Sequence, residues 1–137
     1  GWQLTPQAAH AWVEAMRGEQ KMFELTGSLH AAAIVSPNGI LQVVREDVGR
    51  HNAVDKVIGS AFLSEDYPLT DHTLVVSGRV SYAIVAKALR ACLAAIVAVS
   101  GPTTLAVDLA RAHGLVLVGF TRDDRLNVYA GGDRVAP

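Results

Sequence analysis

The sequence contains one cysteine, Cys92, in 137 residues. A single cysteine excludes a disulfide within the chain and a thiolate-rich metal site built from this chain. Cys92 lies at the end of a predicted helix, with no basic neighbour closer than Arg90, so we expect a small buried apolar residue. Aromatic residues make up 6% of the sequence and hydrophobic residues 50%. This composition and length predict one globular domain.

Long apolar runs and an excess of charge are also missing. The longest apolar stretch, around residues 91–100, is too short to cross a bilayer, and residues 1–3 lack a signal-peptide pattern. A net charge of −1 argues against non-specific duplex binding through a broad basic surface. We therefore predict a cytoplasmic protein with no membrane or nucleic-acid partner, in which any anion is bound locally.

Hydrophobic spacing predicts a layered α/β sheet. Thr5-Pro6 is typical of a helix start, and this helix is predicted to run to about Lys21. A hairpin follows, with strands at residues 30–36 and 40–45 joined by the turn Pro37-Asn38-Gly39. Strand and helix then alternate. Helices are predicted at residues 50–63, 80–89 and 105–113, and strands at residues 73–77, 95–100, 115–120 and 126–130.

The densest group of polar residues follows the second hairpin strand. The segment from Arg45 to Lys56 carries six charged residues, a histidine and an asparagine. A strand that ends in a glycine turn and opens a helix directs free N–H groups outwards, which favours an anion. Arg50 can bind phosphate, His51 and Asn52 can bond to a polar ring or ribose, and Asp55 can orient either basic group. The alternative is a solvated helix start whose charges pair with one another.

Three further corners carry polar residues at predicted strand ends. Their residues are Ser77, Gly78, Arg79 and Ser81; Ser100, Gly101, Pro102 and Thr103; and Phe120, Thr121, Arg122, Asp123, Asp124 and Arg125. Since ligands bind outside the carboxyl ends of strands in open α/β sheets, Arg50 and Arg79 are predicted to meet in one crevice. Helix capping is the alternative for the first two corners, and a polar hairpin turn for the third. His30 could face the same crevice or be satisfied by backbone groups.

The segments Thr26 to Ala33, Arg45 to Lys56, Ser77 to Ser81, Ala98 to Thr103 and Gly119 to Tyr129 together resemble the FdhD family of formate dehydrogenase accessory sulfurtransferases. The resemblance covers nearly the whole chain after about Leu25. It implies a three-layer α/β/α mixed sheet of the cytidine-deaminase-like type, usually in a homodimer. Residues 1–25 are then an N-terminal helix and lead-in, and residues 26–137 the cofactor-binding domain.

The resemblance also implies a role in formate dehydrogenase maturation. The family carries sulfur from a cysteine desulfurase to the bis(molybdopterin guanine dinucleotide) molybdenum cofactor, which then enters formate dehydrogenase. GDP and GMP are expected to mimic this ligand. The implied cofactor-binding residues are His30, Arg45, Arg50, His51, Asn52, Asp55, Ser77, Gly78, Arg79, Ser81, Ser100, Thr103, Phe120, Thr121, Arg122, Asp123, Asp124 and Arg125.

No catalytic or metal-binding residue is expected in this chain. The family's persulfide cysteines lie in a Cys-x-x-Cys motif upstream of Thr26, and this sequence has no such motif. Cys92 does not align with that motif. The chain therefore resembles the C-terminal cofactor-binding portion of the family, which alone is expected to bind the cofactor without transferring sulfur.

Two other functions are alternatives to the role in formate dehydrogenase maturation. A zinc-dependent deaminase-like hydrolase would need cysteine ligands where Ser77, Gly78 and Arg79 stand, so the residues do not support that chemistry. A guanine-nucleotide-binding regulator without sulfur transfer would use the same polar corners, and the sequence is compatible with it.

Overall fold

The computed structural model describes residues 2–20, 29–64 and 67–137. Within these ranges the helices are α1 (Pro6–Gly18), α2 (Arg50–Leu63), α3 (Tyr82–Arg90) and α4 (Thr104–Ala112). The strands are β1 (His30–Val35), β2 (Leu41–Asp47), β3 (Thr73–Val76), β4 (Ala95–Ala98), β5 (Val116–Arg122) and β6 (Arg125–Ala130), and a 3₁₀ helix follows at Gly132–Arg134. None of these helices is long and apolar enough to span a bilayer. The first helix, predicted to run to about Lys21, ends at Gly18, and Glu19 is its C-cap. The motif residues 26–28 and the boundary between residues 25 and 26 lie outside the described ranges.

The strands of the described chain form one mixed sheet in the order β2-β1-β3-β4-β5-β6. β1 runs antiparallel to β2 and β3, while β3, β4 and β5 run parallel to one another. β6 returns antiparallel to β5. The predicted hairpin is thus confirmed, and His30 stands opposite Asp47 in its register. The carboxyl ends of β2, β3, β4 and β5 share one edge of the sheet with the amino ends of β1 and β6. We call this edge the rim.

Helices cover both faces of the sheet. Of the described helices, α1 packs on one face, where Met16 joins a buried cluster that includes Val75. Helices α2, α3 and α4 pack on the other face, where Ile84 joins a cluster with Leu74 and Val76. Successive residues of β3 thus point to opposite faces, as the period of a strand requires. The predicted three-layer mixed sheet is confirmed, while its cytidine-deaminase-like type stays a prediction of the resemblance.

Hydroxyl side chains cap three of the described helices. Thr5 Oγ1 accepts the N–H of Ala8 at 3.1 Å, directly ahead of Pro6 at the first position of α1. Ser81 caps α3 and Thr103 caps α4 in the same way. The N-cap of α2 is Gly49, and no side chain caps that end. The first N–H groups of α2 are therefore left without a side-chain acceptor at the rim.

Cys92 is exposed, and the prediction that it is buried is wrong. Its backbone has a left-handed φ of +64°, directly after the end of α3. Ala91 and Leu93, on either side, are only 1% and 5% exposed. Because the chain turns between these two buried residues, the side chain between them lies at the surface.

Candidate functional site

Arg50, the first residue of α2, packs against Gly78 just beyond β3. A Cβ atom added at Gly78 would lie 3.3 Å from Arg50 Cβ and 3.0 Å from His30 Nδ1. The hydrogen that takes the place of a side chain at Gly78 therefore allows the ends of β1, β3 and α2 to approach one another. Three predicted site residues meet here, at one point of the rim.

The guanidinium group of Arg50 has one donor, Nε, without an acceptor in the described part of the protein. Its Nε atom is buried and makes no hydrogen bond there, and the ion pairs of the described residues join Lys56 to Asp47 and Lys87 to Asp55 instead. Leaving a buried donor unpaired costs about 1–3 kcal/mol. An anion at this end of α2 would meet both the guanidinium charge and the uncapped backbone N–H groups.

Asp47 holds the corner between β2 and α2. Its carboxylate accepts a hydrogen bond from the N–H of Gly49 at 3.0 Å and a longer one from Asn52 Nδ2 at 3.4 Å. It also forms an ion pair with Lys56 Nζ at 2.8 Å. The hydrogen bond from Lys56, with the N–H of Gly49 as the next cause, lowers the pKa of Asp47 from 3.8 to about 2. Asp47 is therefore ionised at neutral pH and fixes the turn that places Arg50 at the rim.

His51 and Ser81 join the start of α2 to the start of α3. His51 Nε2 lies 2.9 Å from Ser81 Oγ. Ser81 Oγ already accepts the N–H of Ile84, so its own proton is available to a neutral imidazole. Burial is the main cause that lowers the pKa of His51 below its ordinary 6.5, and the charges of Arg50 and Lys87 act in the same direction. The neutral ring is therefore favoured, with Nε2 as the acceptor.

Two serines connect the rim ends of β1, β3 and β4. Ser77 Oγ accepts the N–H of Ala31 at 2.9 Å, and Ser100 Oγ donates to the carbonyl oxygen of Ser77 at 3.1 Å. The carbonyl oxygen of Ser100 in turn accepts the N–H of Phe120 at 3.1 Å. Together with the His51–Ser81 contact, these hydrogen bonds link all four predicted polar corners.

β5 continues past Phe120 to Arg122, further than the sequence predicted, and shapes a cavity at the rim. Phe120 has a left-handed φ of +51°. The guanidinium carbon of Arg122 lies 5.6 Å from the centre of the Phe120 ring. The cavity, of about 470 Å³, is lined by Phe120, Arg122, Asp123, Arg125 and Asn127. An aromatic face beside guanidinium groups and a carboxylate suits a flat polar ring attached to a phosphate.

Arg45 and Asp55 line a groove along α2. Asp55 pairs with Lys87 of α3 at 2.9 Å. It therefore orients Lys87, not the basic groups that the sequence suggested, because its position on the second turn of α2 faces α3. Arg45 donates to the carbonyl oxygen of Val44 at 2.8 Å.

The remaining predicted residues are divided between capping, burial and the surface. Thr103 is the cap of α4, and Arg79 is exposed. Thr121 is 0% exposed, and its Oγ1 has no hydrogen-bond partner in the described ranges. Asp123 and Asp124 form the tight turn between β5 and β6, with φ of +54° and +60°. They also line a cleft of about 370 Å³ against α1.

The polar corners do not form a set of metal ligands. Ser77 and Gly78 stand at the second corner, and the hydroxyl of Ser77 is already bonded to a backbone N–H. Within residues 2–20, 29–64 and 67–137, no group of three or more His, Cys, Asp or Glu side chains is arranged to hold a metal ion.

Sequence reasoning did not select Asp47, Lys56 or Gly101 as site residues. The signal for Asp47 was its position two residues before Gly49, since an aspartate bonds to the backbone N–H two residues on in an Asx turn. The sequence did not predict the ion pair of Asp47 with Lys56. The nine residues that separate them span a strand end and two helical turns, and such a spacing does not indicate a contact.

A comparison with protein family models identifies the family of the chain. The model of the FdhD/NarQ family matches residues 1–136. The chain belongs to the FdhD/NarQ family.

Three curated relatives carry the name sulfur carrier protein FdhD. The Streptomyces coelicolor protein is 50% identical over 133 residues, which is 97% of this chain and 47% of the relative. The Mycobacterium tuberculosis protein is 50% identical over 125 residues, 91% of this chain and 45% of the relative. The Saccharolobus solfataricus protein is 43% identical over 122 residues, 89% of this chain and 48% of the relative. The chain thus spans about half the length of these relatives.

A solved structure of a similar protein has the same fold. It is described as a candidate formate dehydrogenase accessory protein from Desulfotalea psychrophila. The TM-score is 0.89 and the sequences are 30% identical, over 99% of this chain and 60% of that chain. The mixed sheet and its helices are therefore shared with an FdhD-type protein of known structure.

Proposed function

We propose that this chain is the cofactor-binding part of a sulfur carrier protein that serves formate dehydrogenase. Family membership supports the proposal, as do the names of the similar proteins. The proposed ligand is the bis(molybdopterin guanine dinucleotide) form of the molybdenum cofactor, bound along the rim. The observation that carries the proposal is the buried, unpaired Nε of Arg50 beside the start of α2, which no side chain caps.

The rim residues fit a ligand that combines phosphates with a flat base. The corner of Arg50, His30 and Gly78 offers a cation, an imidazole and the close backbone approach that phosphate needs. The cavity beside Phe120 offers an aromatic face and the carboxylate of Asp123. One carboxylate can accept both the ring N–H and the amino group of guanine, whereas adenine presents a bare ring nitrogen at the same place. The proposed site therefore selects guanine over adenine.

In this proposal, the residues of the chain bind and orient the ligand. The molybdenum cofactor, when bound, supplies the metal centre that receives sulfur. Arg50 neutralises phosphate charge, and the Asp47–Lys56 pair holds the helix start in place. The sequence contains no Cys-x-x-Cys motif. The proposal therefore assigns the sulfur to a cysteine outside these 137 residues, loaded by a cysteine desulfurase.

The proposal extends to partners and location. It names a cysteine desulfurase as the sulfur donor, formate dehydrogenase as the recipient, a second copy of the chain as a dimer partner, and the cytoplasm as the compartment. Light scattering of the purified chain tests the dimer, since a mass equal to one chain at high protein concentration contradicts it. Pull-down with purified desulfurase and dehydrogenase tests the other two partners.

Isothermal titration calorimetry with GDP and ADP tests the ligand class. We expect GDP to bind with at least about tenfold higher affinity than ADP, which corresponds to about 1.4 kcal/mol. Arg50→Ala should weaken GDP binding, and Arg90→Ala is its matched control, which should bind GDP like the wild type. Arg90 is an exposed arginine in the last turn of α3, at the opposite end of that helix from the rim. Equal affinity for the two nucleotides, or no binding of either, would contradict the proposed function.

A further inference from the structure

Gly101 and Phe120 fit together at the end of the rim. A Cβ atom added at Gly101 would lie 2.5 Å from Cζ and 2.7 Å from Cε2 of the Phe120 ring. Carbon atoms pack at about 3.5–4.0 Å, so both distances are severe overlaps. Phe120 can hold its ring here only because residue 101 has no side chain.

A second glycine brings the same two parts of the chain together. A Cβ atom added at Gly119 would lie 3.1 Å from the carbonyl oxygen of Ser100 and 3.2 Å from Pro102 Cδ. Gly119 on β5 and Gly101 after β4 thus remove two side chains from one contact. The end of β5 is pressed against the turn that leads into α4, and the Phe120 ring closes this contact.

The backbone of Phe120 is strained in this position. A left-handed φ of +51° is rare for a bulky side chain and strains the backbone. The pairing of β5 with β6 also shifts register between Gly119 and Arg122. Such strain persists only when the surrounding structure holds it, and here the Ser100–Phe120 hydrogen bond and the Gly101 contact do so.

The seated ring also supports the cavity. Phe120 forms one wall of the 470 Å³ cavity, and the guanidinium of Arg122 lies over the same ring. We propose that Gly101 is a positioning residue of the binding site, which seats the Phe120 ring and thereby fixes the cavity wall and the Arg122 guanidinium. This inference rests on the proposed function for the identity of the ligand, and on the Gly101–Phe120 contact for everything else.

GDP titrations of Gly101→Ala, Phe120→Ala and the double variant test the inference. We expect Gly101→Ala to lower GDP affinity by about tenfold in the wild-type background. In the Phe120→Ala background the same substitution should change affinity by less than about twofold, because two residues that act through one contact are not additive. An equal loss in both backgrounds, or no loss in either, overturns the inference. Gly59→Ala is the control, since a Cβ at Gly59 has nothing within 4 Å.

NMR of the chain without nucleotide separates this inference from the proposed function. In the wild type we expect contacts between the Phe120 ring and the α-protons of Gly101, and ring-current shifts of the Arg122 side chain that vanish in Phe120→Ala. Gly101→Ala should lose the Arg122 shifts while the amide spectrum of β3 and β4 is retained. Unchanged Arg122 shifts in a folded Gly101→Ala variant overturn the positioning role.

Two further results distinguish the positioning role of Gly101 from the proposed function and from a failure to fold. If the wild type does not bind GDP while these NMR changes occur, the proposed function fails and the positioning role stands. If Gly101→Ala does not fold, Gly101→Ala combined with Phe120→Ala decides: a folded double variant supports the contact, and an unfolded one overturns it.

Discussion

Ser81 Oγ lies 2.9 Å from His51 Nε2 and also accepts the N–H of Ile84. The cap of α3 is therefore also a link to α2. Ser81→Ala should lower the free energy of unfolding by about 1–2 kcal/mol through the lost cap, and further through the lost link. Thr5→Ala, which removes a cap without a bond between helices, is the matched control. Urea unfolding measures both, and a smaller loss for Ser81→Ala than for Thr5→Ala contradicts the role of the link.

Arg50→Ala should separate binding from stability. The variant is expected to weaken GDP binding by about 1.5–3 kcal/mol, the range for hydrogen bonds to charged groups. Its free energy of unfolding should equal or exceed that of the wild type, because a buried unpaired donor is removed. Calorimetry and urea unfolding measure the two effects. A dissociation constant that matches the wild type removes Arg50 from the site.

Gly78→Ala should disturb the same corner by steric contact. The new Cβ would lie 3.0 Å from His30 Nδ1 and 3.3 Å from Arg50 Cβ, so both side chains must shift. We expect GDP affinity to fall by at least about fivefold, or about 1 kcal/mol. Gly59→Ala, in the middle of α2, should instead keep GDP affinity and stabilise the protein by about 0.5–1 kcal/mol. Undiminished GDP binding by Gly78→Ala would show that the Arg50 corner does not hold the ligand.

Asp47→Asn should reveal a pH-dependent contribution to stability. The folded protein lowers the pKa of Asp47 from 3.8 to about 2, chiefly through Lys56. Because the folded pKa is depressed, this contribution is present above pH 3.8 and is lost as the pH falls towards 2. Wild type should therefore be more stable than Asp47→Asn near neutral pH, and the difference should shrink below pH 3.8. Thermal unfolding over this pH range measures it, and a difference that does not vary with pH contradicts the role of Asp47.

The local signals of the sequence predicted the elements well. Thr5, ahead of Pro6, and Thr103 are helix caps. A hydroxyl directly before a helix bonds to the first turn of that helix, so the cap forms without any distant contact. The turn at Pro37-Asn38-Gly39 joins the two hairpin strands for the same reason. Cys92 was misplaced, because its exposure depends on a left-handed turn between two buried neighbours, which helical spacing does not encode.

The composition of the rim was predictable in part. The rule that ligand-binding residues follow the carboxyl ends of strands predicted that the corners of Arg50 and Arg79 share one crevice, and Gly78 of the second corner does lie against Arg50. The meeting of Arg50 with Arg79 itself stays a prediction. The same rule gave no information on side-chain pairing, so the Asp55–Lys87 bond between two helices was not anticipated. The extension of β5 past Phe120 was also missed, and the contact of Phe120 with Gly101, almost twenty residues earlier, leaves no local signal in the sequence.

The tryptophans of the chain both lie on the side of α1. Trp12 Nε1 donates to the carbonyl oxygen of Gly39 at 3.2 Å, and Trp2 packs against the same buried cluster. These are the two tryptophans of the sequence. Intrinsic tryptophan emission therefore reports on the docking of the first helix onto the hairpin.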